Sequence, residues 1–134
     1  MNHPDEQGSV TVFVVGVLLA LMVMGGLVFD GGTIIAGHRE ADAQAEGAAR
    51  AAAEQVSIPA LRSGQTDLDS SRATTAAETY LRQYDHVGTV VVDGDSVTVT
   101  VSYQVDMQVL DLVGIRSKTV SATATATAVE GAGP

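Results

Sequence analysis

The strongest constraint on how this chain can fold is an uncharged stretch near its N-terminus, Gly8 to Phe29, which reads GSVTVFVVGVLLALMVMGGLVF. About 20 helical residues cross the roughly 30 Å hydrocarbon layer of a bilayer, and a helix satisfies its own backbone amides there. A cleaved secretory signal would need a basic leader and a shorter apolar run, whereas this stretch follows Asp5 and Glu6. The pattern therefore predicts one membrane-spanning helix that stays in the protein.

The span divides the 134 residues into three predicted parts. These are an N-terminal flank (1–8), a transmembrane helix (9–29) and a small α+β domain (30–134). Trp and Cys are absent, so the domain core must consist mainly of Val and Ala, and disulfides are excluded. The formal net charge is −9 and the 7 basic residues are scattered. Nucleic acid is not an expected partner, because its binding needs clustered cations.

Two amphipathic helices are predicted after the span. The first covers Thr33 to Val56, where small side chains share one stripe and charged side chains fill the opposite side. The small stripe consists of Ala41, Ala45, Ala48 and Ala52. Ser57 to Thr66 contains a proline and a glycine and is predicted to be a loop. A second helix is expected within Asp67 to Tyr84. Its core face is predicted to comprise Ala73, Ala77, Tyr80, Leu81 and Tyr84.

The C-terminal half changes to a period of two, which indicates strands. Alternation from Val97 to Val109 predicts one long strand. Thr89 to Val92 should pair with its start across a type I′ hairpin turn at Asp93-Gly94. Thr119 to Val129 predicts a third antiparallel strand. The expected fold class is α+β: a transmembrane helix continuing into an alanine-rich helix, a second helix, then a three-stranded antiparallel sheet whose strand order stays open.

Small residues in the span are candidate helix-packing positions. Gly16 and Ala20 form a small-xxx-small pair, and Gly25 and Gly26 offer further points of close approach. The alanine stripe of the following helix offers more. Asp30 ends the apolar run and allows two interpretations. Its carboxylate either lies among the headgroups as the end of the span, or pairs with a neighbouring subunit at membrane depth.

No catalytic residue, cofactor or metal site is expected from the sequence. His3, His38 and His86 are isolated, and none has the HExxH or a comparable ligand spacing. The chain has no nucleophile elbow, phosphate-binding glycine loop or persuasive pair of acid–base carboxylates. We therefore expect neither enzyme activity nor a small-molecule substrate.

Three stretches resemble the TadE/TadG-like proteins of Tad/Flp pilus assembly, particularly the short actinobacterial kind. They are GSVTVFVVGVLLALMVMGGLVFDGG, HREADAQAEGAARAAAEQV and VTVTVSYQVDMQVLDLVGIRSKTVSATATATA. The resemblance implies a pilin-like fold and a non-catalytic minor pilin or pseudopilin, held in the membrane by one helix. Its partners would be membrane lipid, other pilin-like subunits and the assembly machinery, and its domain would face away from the cytoplasm.

The resemblance also implies a processing site at Gly8-Ser9, where a prepilin peptidase would cut just before the span. Phe13 stands near the position where pilin-like proteins usually carry a glutamate. The positive-inside rule, applied to Arg39, would leave the domain in the cytoplasm, but long domains translocate largely regardless of charge. An alternative function remains: a bitopic cell-surface protein whose outer domain binds a ligand or another protein, unrelated to pili.

Overall fold

A computed structural model describes residues 5–128 and shows an α+β fold, which confirms the predicted fold class. One very long helix precedes two shorter helices and a three-stranded sheet. In chain order the elements are α1 (Asp5–Ala53), α2 (Ile58–Arg62), α3 (Ser70–Arg82), β1 (Gly88–Asp93), β2 (Ser96–Asp106), a 3-10 helix (Leu110–Val113) and β3 (Ser117–Thr127).

Helix α1 joins the apolar stretch to the alanine-rich stretch without a break. Its 49 residues correspond to about 74 Å at 1.5 Å per residue. The first half is exposed along almost its whole length, whereas the second half packs on α3 and on strands β2 and β3. The helix therefore divides into an apolar segment (residues 8–29) that stands away from the domain and a domain segment (residues 30–53) that belongs to it.

The core forms where small side chains allow helices and sheet to approach closely. All four alanines of the predicted stripe are fully buried, together with Ala49. They meet Ala73, Ala77 and Leu81 of α3 and the inward-facing valines of β2. Each alanine buries little area, so the stability of this core depends on close packing over many contacts.

The sheet has the order β1-β2-β3, and both pairs are antiparallel. Val97, Val99 and Val101 alternate into the core, whereas the threonines between them lie on the outer face. There Thr98 and Thr100 pair with threonines of β3, with oxygen–oxygen distances of 2.8 and 2.9 Å. The predicted alternation is confirmed in β2 and β3, although Val129 lies outside the described residues.

The β1–β2 turn is one residue later than predicted. Asp93 pairs with Ser96, so Gly94 and Asp95 are the two loop residues. Gly94 has φ of 60°, and among the described non-glycine residues only Asp85 has a positive φ. This pattern fits a type II′ turn, which needs glycine at its first central position, and not the predicted type I′ turn.

Strand β2 also ends earlier than the alternation suggests, at Asp106 and not at Val109. The amides of residues 108–110 bond to a side chain of α1 and not to a neighbouring strand. This removes them from the ladder, and the chain turns into the 3-10 helix.

Two helix predictions need correction. The predicted loop at Ser57 to Thr66 contains the short helix α2, which begins after Ser57, with Pro59 in its first turn, where proline is tolerated. The prediction that both tyrosines pack in the core is wrong for Tyr84, which is exposed. Helix α3 ends at Arg82, so Tyr84 no longer follows the helical face, while Tyr80 lies half-buried against the core.

Candidate functional site at the exit of the apolar helix

The apolar segment of α1 is the largest exposed hydrophobic surface on the described residues. Among the described residues, α1 is the one helix that is long and apolar enough to cross a membrane. Its most apolar 18 residues have a mean hydropathy of 2.8 and are 0% buried. The 22 residues of the apolar segment would extend for about 33 Å. Soluble proteins rarely expose so large a contiguous apolar surface, so this segment needs lipid or another protein around it.

The small residues of this segment fall into two groups. Gly16, Ala20 and Gly25 are exposed, and no atom of another described element comes within 4 Å of where a Cβ would stand on either glycine. Gly26 differs, because a Cβ there would overlap the side chain of Val109. The structure thus brings Gly26 against the loop between β2 and β3 and leaves the other three accessible to a partner.

Asp30 is fully buried at the point where the two segments of α1 meet. Its Oδ1 accepts a hydrogen bond from Gln108 N (2.9 Å), and its Oδ2 accepts from Val109 N (3.0 Å) and Leu110 N (2.7 Å). These amides open the 3-10 helix, where backbone N–H groups lack partners within the helix. A carboxylate is well suited to them, because hydrogen bonds to a charged acceptor are stronger than neutral ones.

The structure therefore gives Asp30 a role that the sequence did not indicate. Both interpretations placed its carboxylate outside the domain, in the headgroup region or on a neighbouring subunit. Its partners instead lie in the same chain, about 80 residues further on. No local pattern around Asp30 or Val109 indicates this pairing, because it depends on how the sheet lies along the helix.

A second group of polar contacts joins the domain segment of α1 to the sheet. The Tyr103 hydroxyl donates to the Gly37 carbonyl (2.8 Å), and the Tyr103 ring stacks on His86, with centroids 4.1 Å apart. His86 Nδ1 donates to Gln44 Oε1 (2.7 Å), and Gln44 Nε2 donates to Glu40 Oε1 (3.1 Å). Burial, followed by the Glu40 carboxylate, raises the pKa of the Tyr103 hydroxyl. The hydroxyl therefore stays protonated and keeps its bond to α1.

The remaining candidate residues take no part in this site. Gly8 and Ser9 lie in the first turns of α1 and are exposed. Ala41, Ala45, Ala48 and Ala52 are enclosed by the chain's own α3 and sheet. His38 is exposed, and His3 lies outside the described residues. Among the side chains that the structure describes, no three of His, Asp or Glu lie close enough together to hold a metal ion.

Comparison with known proteins finds a similarity to one family in the N-terminal part of the chain. Residues 8–55, just over a third of the sequence, match the family model Tad, described as putative Flp pilus-assembly TadE/G-like. No curated protein matches the chain, and no solved structure matches it. The matched residues comprise the apolar segment, Asp30 and the alanine-rich helix. This match confirms the predicted resemblance: residues 8–55 are similar to the Flp pilus-assembly TadE/G-like family.

Proposed function

We propose that this chain is a non-catalytic minor pilin or pseudopilin-like component of a Tad-type pilus or secretion apparatus. The family match and the apolar helix support a pilus-related membrane component. The observation that carries the finer proposal is the division of α1, in which one half packs on a folded domain and the other half is apolar and exposed along almost its whole length.

In this proposal residues 9–29 span the membrane and residues 30–134 form a domain on its extracytoplasmic side. The packed half of α1 and the sheet form one body, so the spanning helix continues directly into the domain with no flexible linker between them. A neighbouring pilin-like helix can then pack along the exposed pair Gly16 and Ala20, where the backbones can approach closely. In this proposal the chain acts through this helix packing with other pilin-like subunits.

Site-specific photocrosslinking in the native host tests the proposed packing face. A photoreactive phenylalanine analogue at Ala20 lies on the Gly16 face, whereas the same analogue at Leu18 lies on the opposite side of the helix, since 100° of rotation separates successive residues. Both positions are exposed. We expect adducts with pilin-like subunits from Ala20 and few from Leu18.

A strain in which the gene for this chain is deleted tests whether the chain is needed for piliation. Loss of pili, restored by the intact chain, is the result we expect. Normal piliation in the deletion strain, together with no pilin-like adduct from Ala20, would contradict the proposal and favour a surface protein unrelated to pili.

A further inference from the structure

The loop between β2 and β3 carries a small apolar patch whose role the proposed packing does not explain. Leu112 is 85% exposed, Val113 74% and Ile115 50%. The loop is nevertheless well defined: Met107 N donates to Arg116 O (2.9 Å), which closes its base. Gly114, with φ of 91°, ends the 3-10 helix. A loop fixed in this way holds its apolar side chains outward.

This loop is attached to α1 within the last turns of the apolar segment. Val109 packs on Gly26, and the next residue, Leu110, donates its amide to Asp30. Gly26 lies three residues before Phe29, or about 4.5 Å of helix rise. If residues 9–29 lie in the hydrocarbon layer, the contact between Val109 and Gly26 lies at the edge of that layer.

We propose that Leu112, Val113 and Ile115 insert into the boundary between headgroups and acyl chains of the bilayer that holds α1. The proposal rests on the membrane anchorage in the proposed function. Lipid is the occupant because the patch is continuous with the apolar segment through Val109, and α1 brings the loop to the membrane surface. Arg116 is exposed beside the apolar tip and pairs with Asp111 at 3.5 Å. A cationic side chain beside exposed apolar residues is typical of interfacial segments, whose polar face is rich in Lys and Arg.

A second point of membrane contact would fix the orientation of the domain. With α1 alone, the domain could rotate about the helix axis and tilt with it. With the loop inserted, one end of the sheet faces the bilayer and the Gly94 turn points away. The buried Asp30 carboxylate would then hold the inserting loop in place through its three hydrogen bonds to the loop amides.

Single tryptophans test this arrangement, because the chain has none of its own. The full chain is reconstituted at one copy per nanodisc, with lipids brominated either near the carbonyls or deep in the acyl chains. The test variant is Leu112→Trp, and Val113→Trp provides an independent second position. Leu18→Trp reports on the span, and Val91→Trp is the matched exposed control.

Val91 is a suitable control because it is 56% exposed and pairs with Thr98. Thr98 lies nine residues before Met107 on β2, which places Val91 roughly 30 Å from the loop at 3.3 Å per residue. Circular dichroism checks that each variant keeps its fold. The three substituted domain positions are exposed, so no core contact is lost.

We expect lipid bromines near the carbonyls to quench L112W and V113W more strongly than deep bromines do, because interfacial side chains are buried only about 5–10 Å into the headgroup and acyl boundary. Deep bromines should quench L18W, and V91W should respond to neither. Quenching of L18W without quenching of L112W and V113W would overturn the loop proposal and leave the anchorage intact. No quenching of L18W would overturn both. Protection of L112W from acrylamide without bromine quenching would show that protein covers the loop, which also overturns the proposal.

Discussion

Asp30 links α1, at the end of its apolar segment, to the loop between β2 and β3 through three backbone amides. Asp30→Ala would leave these amides without an acceptor, and Asp30→Asn would keep one oxygen but lose the charge. We expect hydrogen exchange at residues 108–110 to accelerate in both variants, and by about tenfold or more in the alanine variant, because local opening becomes easier. Mass spectrometry in nanodiscs measures this exchange.

Asp42→Asn is the matched control for this experiment. Asp42 lies on the same helix and is exposed, so its loss of charge should leave exchange in the β2–β3 loop unchanged. Equal protection of residues 108–110 in the wild type and in Asp30→Ala would contradict the capping role of Asp30.

Gly37 shows how closely α1 lies on the sheet. A Cβ at this position would stand 2.7 Å from Val105 Cγ2 and 3.5 Å from Val120 Cγ1. Gly37→Ala should therefore lower the free energy of unfolding by about 1–3 kcal/mol through overpacking. Chemical denaturation followed by circular dichroism measures the change.

Gly32→Ala, on the same helix, is expected to raise stability, whereas Gly37→Ala should lower it. Apart from the adjoining backbone of α1 itself, no atom lies within 4 Å of the added Cβ there, so the substitution should stabilise the helix by about 0.5–1 kcal/mol through its better helix propensity. A Gly37→Ala variant as stable as Gly32→Ala would show that helix and sheet are not in the close contact described.

Among the single elements, the β1–β2 hairpin depends on Gly94. Its φ of 60° is unfavourable for residues with a side chain. Gly94→Val should therefore destabilise the domain by about 1–2 kcal/mol or more. Asp95→Ala, at the neighbouring loop position without positive φ, should change stability by less than about 0.5 kcal/mol. Equal denaturation midpoints for the two variants would argue against the type II′ turn.

The elements with strong periodicity could be predicted from sequence, and their ends could not. Alternation placed β2 and β3 correctly because each has one buried face, and a shift by one residue would expose every valine. The same pattern extended β2 to Val109, where the carboxylate of Asp30 competes for the amides. Helix α2 was missed because five residues are too few to show a helical period.

Some features of the candidate site could likewise be predicted from the sequence, and others could not. The apolar segment and its exposed small residues were predictable, because a long uncharged run has few structural alternatives. The contacts that fix the exit of this segment were not, since Asp30 and Gly26 meet residues about 80 positions away. Such pairings depend on the path of the whole chain.

For the molecule as a whole, the proposed anchorage requires lipid around the first half of α1. Leu19→Arg places a charge near the middle of the apolar segment, where insertion scales assign a cost of about 2.5–3.5 kcal/mol. We expect this variant to lose much of its membrane retention. Ala43→Arg adds the same charge to an exposed position of the domain segment and should leave retention unchanged.

Sedimentation of the full-length chain after alkaline carbonate extraction shows whether lipid surrounds the apolar segment. We expect the wild type and Ala43→Arg to remain in the membrane pellet and to dissolve only with detergent, while Leu19→Arg shifts toward the supernatant. A wild-type chain that stays in solution without detergent after ultracentrifugation would contradict the membrane anchorage.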